Sequence, residues 1–73
     1  MYSEDQKDTV YSYYLLTLYS ISQGESFEEL EYVVSEFEEE GMYEECDGIR
    51  KAVKFAKSNT MDRVLLELDK EID

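Results

Sequence analysis

Four apolar stripes repeat at three- and four-residue intervals, each bounded by a glycine or a helix-capping residue, and this commits the chain to helices. The first helix is predicted over residues 4–22. Ser3 caps it with Gln6 at capping-box spacing, Glu4 and Asp5 suit its positive start, and Gly24 ends it. Val10, Tyr11, Tyr14, Leu15, Leu18 and Ile21 share its inner face. The run VYSYYLLTLYSI is rich enough in tyrosine to suit a strand, but strict alternation is absent and the helical period holds.

The second helix is predicted over residues 27–40, with Ser26 and Glu29 as a second capping box and Gly41 as a left-handed stop. Its stripe is Phe27, Leu30, Val33, Val34 and Phe37. The third covers 43–57 with Met42, Cys46, Ile49, Val53 and Ala56 inward, and Asn59 stops it. Gly48 costs this helix about 1 kcal/mol relative to alanine, so it is expected to mark a close helix contact or a contact site. The fourth covers 61–72, capped by Thr60, with Met61, Val64, Leu65, Leu68 and Ile72 as its stripe. Connections this short favour antiparallel neighbours. The expected fold is all-α, a small antiparallel bundle of about four helices in one domain spanning 1–73.

A chain of 73 residues buries a limited core, and the usual reinforcements are missing. Cys46 is the one cysteine and there is no histidine, which excludes an internal disulfide and leaves almost no route to a zinc site. Oligomerisation or docking on a partner is the remaining support. A lone thiol fits a reducing cytoplasm. The opening MYSEDQ does not begin like a signal peptide, and no apolar run approaches the ~20 residues that span a bilayer.

Net charge is -12, and it is lopsided. Residues 1–49 hold 14 acids and one base, Lys7; residues 50–73 hold six bases and five acids. Such a chain disfavours DNA, RNA and anionic membranes and favours a basic protein partner. The 42% hydrophobic content argues against disorder as the reason for the charge.

The second turn, EEEGMYEECDGIRKAV, resembles the UVR motif, the helical hairpin of the UvrB and UvrC repair proteins. Tyr43, Glu44, Cys46, Ile49, Arg50 and Val53 match; Asp47 and Lys51 depart, where a small residue and an aspartate are usual. The resemblance spans residues 40–53 and implies a hairpin used for protein–protein contact.

Catalytic chemistry finds little to work with. No histidine can activate a serine, threonine or cysteine, and Cys46 on the inner stripe reads as a small core thiol. Carboxylate pairs suited to glycoside chemistry occur on any acidic helix, and a bundle this small leaves little room for a cleft. ECDGIRKAV lacks calcium-loop spacing. The expectation is a binding protein, not an enzyme, with no metal and no cofactor.

The acid run FEELEYVVSEFEEEGMYEECD carries ten carboxylates and no Lys or Arg. Solvated helix faces usually mix signs, and like charges at i, i+4 cost a few tenths of a kcal/mol each. Seven glutamates over residues 28–40 lie along about 20 Å, near one per ~3 Å, against one per ~3.4 Å on a DNA strand. On a helical wheel Glu28, Glu29, Glu36 and Glu39 point away from the stripe, with Glu31 and Glu38 on one flank and Glu40 on the other. Mimicry of a duplex needs a second acidic edge, from Glu44, Glu45 and Asp47 or from a twofold copy. Tyr13, Leu16 and Tyr19 fall outside the core stripe of the first helix and are the candidate self-association residues, unless the fourth helix covers them. The other reading is an acidic docking surface anchored by Tyr32 and Tyr43.

In size, charge and the segment FEELEYVVSEFEEEG, the chain resembles the small acidic DNA-mimic inhibitors that phages make against host machinery, most nearly the β sliding-clamp inhibitors of Twort-like staphylococcal phages. The resemblance implies that the carboxylates take the place of phosphates against the Lys and Arg of a DNA channel in the host cytoplasm. Arg50, Lys51, Lys54 and Lys57 are then structural, with Asp47 and Lys51 an ordinary i, i+4 pair. The alternative expectation is an adaptor or assembly module that uses the UVR-like hairpin without mimicry.

Overall fold

A computed structural model describes the backbone of residues 2–72 and the side chains of residues 2–70. Among these residues there are four helices and no strand: α1 (Glu4–Ser22), α2 (Phe27–Glu39), α3 (Tyr43–Ser58) and α4 (Met61–Ile72). The predicted ends hold within one residue. The second helix stops at Glu39, with Glu40 as its C-cap, and the third runs on to Ser58. The Ile72 side chain, last of the predicted fourth stripe, lies outside the described residues.

The caps explain where the helices sit. Ser3 and Gln6 form a full capping box on α1, and Ser26 Oγ accepts from the Glu29 N–H at the start of α2. Both helices end in the same way. Gly24 and Gly41 have φ of +98° and +78°, and the N–H groups of Glu25 and Met42 return to the carbonyls of Ser20 and Phe37. This six-to-one bond satisfies helix-end carbonyls, and glycine is needed because a Cβ is strained at such φ. Asn59 Nδ2 donates to the Phe55 carbonyl at 2.9 Å and closes α3.

The third helix is the hub, packing on α1 most extensively and also on α2 and α4. Leu18, Ala52 and Val64 form one buried cluster at the α1–α3–α4 junction. Ile21, Leu30, Val34, Cys46, Ile49 and Val53 form the other, toward α2. Each fully buried Leu or Ile contributes about 1.5–3 kcal/mol. Gly48 sets the α1–α3 distance. A Cβ there would press on the Val10 carbonyl oxygen and lie 2.8 Å from Tyr13 Cβ. The helix-propensity cost of this glycine is thus the condition for close backbone approach.

That approach corrects two expectations. Tyr13 is not a free outer residue: it is partly buried against the larger core cluster, and its ring meets Phe37 edge-on at 6.1 Å. Tyr11, placed on the inner stripe, is 43% exposed and stacks on Tyr14. The fourth helix is anchored mainly by Val64 and Leu68, so Met61 and Leu65 of its stripe remain about half exposed. No described helix is long and apolar enough to cross a membrane.

Candidate acidic docking site

The outer surface of α2 carries the site. Glu28, Glu29, Glu36, Glu39 and Glu40 are exposed, and among the described residues none of them has a cationic partner. Tyr32 stands between the two groups of glutamates, 66% exposed. The Glu36 carboxylate accepts from its hydroxyl and holds the phenol above its ordinary pKa.

The flanking acids behave differently. Arg50 on α3 reaches Glu38 at 2.7 Å, and Lys57 reaches Glu31 at 3.3 Å while lying 5.5 Å from the centre of the Phe27 ring. The two glutamates are seven residues apart on α2, and the two cations are seven apart on α3. Two helical turns on each side of an antiparallel hairpin therefore bring both pairs into register. Glu38 holds the Arg50 guanidinium above its usual pKa, with burial opposing. Glu38 belongs to the bundle rather than to the outward row, which corrects its expected place in the partner-binding set.

The expected second acidic edge also turns inward. Glu44, Glu45 and Asp47 are all half-buried. Glu44 accepts from Gln6 Nε2 at 2.8 Å. One buried carboxylate oxygen of Glu45 has no partner among the described residues. Asp47 accepts the Tyr2 hydroxyl and lies 3.7 Å from Arg50, not in an ion pair with Lys51 as its i, i+4 spacing suggested. That hydrogen bond is the largest cause, ahead of burial, of the Tyr2 phenol being pushed up to about 12. Tyr43 is 60% exposed at the hairpin turn.

Cys46 is fully buried, its Sγ donates to the Val34 carbonyl at 3.3 Å, and burial pushes its thiol pKa up. This is the environment of an inert core thiol. Among the described residues, no group of three or more Cys, Asp and Glu is arranged to hold a metal ion.

On α1, Leu16 and Tyr19 are 59% and 58% exposed, as expected for residues outside the core stripe. Tyr19 lines a groove with Leu65, Leu66 and Leu68 of α4, so the fourth helix adjoins it without covering it.

Among the described residues, the fold and site define a four-helix acidic bundle with an outward carboxylate row along α2. No protein-family model, curated protein or solved structure matches this chain.

Proposed function

We propose that the α2 row docks on a basic protein surface that otherwise holds nucleic acid, making the chain an inhibitor by occupancy rather than an enzyme. One observation carries this reading. The chain uses Arg50 and Lys57 on the flank acids and, among the described residues, leaves Glu28, Glu29, Glu36, Glu39 and Glu40 without a cationic partner. Five charges over residues 28–40 amount to about one per 4 Å, close to the ~3.4 Å spacing of one DNA strand. The partner is a DNA-binding or replication protein of the host cytoplasm, with the sliding clamp as the concrete case under the resemblance drawn above. The chain itself binds no nucleic acid in this reading.

A single row imitates one strand. The half-burial of Glu44, Glu45 and Asp47 leaves a second copy as the source of a second edge. Leu16 and Tyr19, beside the apolar α4 groove, are the contacts we assign to that copy.

The adaptor reading draws support from Tyr32, a large exposed ring framed by carboxylates and suited to an Arg-rich partner. Competition separates the two. The target is recovered from host lysate on the immobilised protein, and duplex DNA is then titrated in at several salt concentrations. Occupancy of a DNA site predicts displacement by DNA and a steep loss of affinity with salt. A complex indifferent to added DNA rejects the inhibitor reading and leaves the adaptor.

A further inference from the structure

We propose that a second site, remote in chemistry from the α2 row, binds a small planar ring carrying a phosphate, the chemistry of a mononucleotide. Lys7 is the one base in the first 49 residues, and Lys51 is the residue that breaks the UVR-like pattern. They come together on one cleft of about 490 Å³ between α1 and the middle of α3, walled by Tyr2, Tyr11 and Tyr14.

The walls are held in place. Tyr11 and Tyr14 lie nearly parallel, 19° apart with centroids at 6.1 Å, and Tyr14 is braced edge-on by Phe55 at 6.4 Å. Tyr2 is tied by its hydroxyl to Asp47. Fixed aromatic faces suit the stacking of a flat ring. Pockets of this size are mostly apolar, with a few polar groups that fix orientation.

The charge around the cleft is favourable only locally. Neither Lys7 nor Lys51 forms an ion pair among the described residues. Of the nearby acids, Asp47 is engaged by Tyr2 and Arg50, and Glu44 by Gln6. Asp8 also lines the cleft, so among the described lining residues two ammonium groups accompany one carboxylate. A single phosphate can use that small surplus. A polyanion would meet the net charge of -12 as well, so the cleft selects a monomeric ligand.

The test is a nuclear magnetic resonance titration of the full chain with adenosine monophosphate, with adenosine and inorganic phosphate as separate arms. Saturable shifts of the Tyr11 and Tyr14 ring signals are expected with the nucleotide, and at least about tenfold weaker binding of either part alone. Lys7→Gln with Lys51→Gln should weaken nucleotide binding about tenfold or more, with unchanged melting and unchanged binding through α2. Phosphate binding as well as the nucleotide would overturn the aromatic part of the site. Adenosine binding as well as the nucleotide would overturn the role of the lysines. No saturable shift at millimolar nucleotide would overturn the site altogether, whatever the fate of the α2 reading.

Discussion

Arg50 on α3 holds Glu38 on α2 at 2.7 Å, and this pair separates the carboxylates that belong to the bundle from those that face outward. Neutralising the two kinds should change stability in opposite directions. Glu38→Gln should lower it by under about 1 kcal/mol, since both partners are roughly half exposed. Glu36→Gln with Glu39→Gln should raise it by a few tenths of a kcal/mol at low salt, by relieving like-charge repulsion. Thermal melts at low and high salt measure both. The same sign for both variants would remove the distinction.

Gly48→Ala reverses the usual propensity argument. Alanine gains about 1 kcal/mol as a helix former, yet its Cβ would meet the Val10 carbonyl and Tyr13 Cβ. Overpacking of this kind costs about 1–3 kcal/mol, so a net loss is expected in urea unfolding. A more stable variant would mean that α1 and α3 can move apart freely.

Leu16→Glu and Tyr13→Ala should fail in different ways. Leu16 is 59% exposed, so the charged variant should fold, and its mass in sedimentation should fall from dimer to monomer. Equal masses for variant and wild type would reject the self-association face. Tyr13 packs on Phe37 and against Gly48, so its truncation should instead cost roughly 2–3 kcal/mol of stability.

Alkaline pH should unfasten the N-terminal tether. The Tyr2 phenol ionises near 12 in the fold against an ordinary value of 10.0. Between those values the folded chain retains a proton that the unfolded chain releases. The stabilisation is therefore complete below pH 10 and is lost as pH rises toward 12. Tyr2→Phe should remove a tyrosinate absorbance step that titrates well above the ordinary phenol range and flatten this part of the stability profile. If that step persists in the variant, the assignment to Tyr2 is wrong.

Cys46 should resist thiol reagents in the native state and react only when the bundle opens, because its sulfur is buried and bonded to the Val34 carbonyl. Labelling rates across a urea series should track unfolding. Fast labelling without denaturant would contradict the packing.

Much of this architecture is legible in the sequence because its signals are local. Ser3, Gly24, Ser26, Gly41 and Asn59 act on backbone groups within a few residues, and the helix ends follow from them. Tyr13 departs from its expected place because a stripe drawn on one helix assumes one neighbour. The side of α1 that bears Tyr13 meets α3 and also Phe37 of α2. The Glu31–Lys57 and Glu38–Arg50 pairs were within reach, since matching seven-residue spacings on an antiparallel hairpin predict them. The contacts Tyr2–Asp47 and Gln6–Glu44 were not, because they depend on how closely Gly48 lets α1 approach.

The two joints of α3 differ in kind. Its contact with α1 is closed at Gly48 by backbone atoms and the Tyr13 Cβ and edged by the hydrogen bonds Tyr2–Asp47 and Gln6–Glu44, whereas its contact with α2 is edged by two solvent-facing ion pairs. Ionic strength therefore acts on this molecule directionally. Added salt acts most on the arm that carries the outward carboxylates, by screening the two exposed ion pairs that edge it. Any complex made through that arm would feel salt twice, once in the attraction and once in the stiffness of the arm.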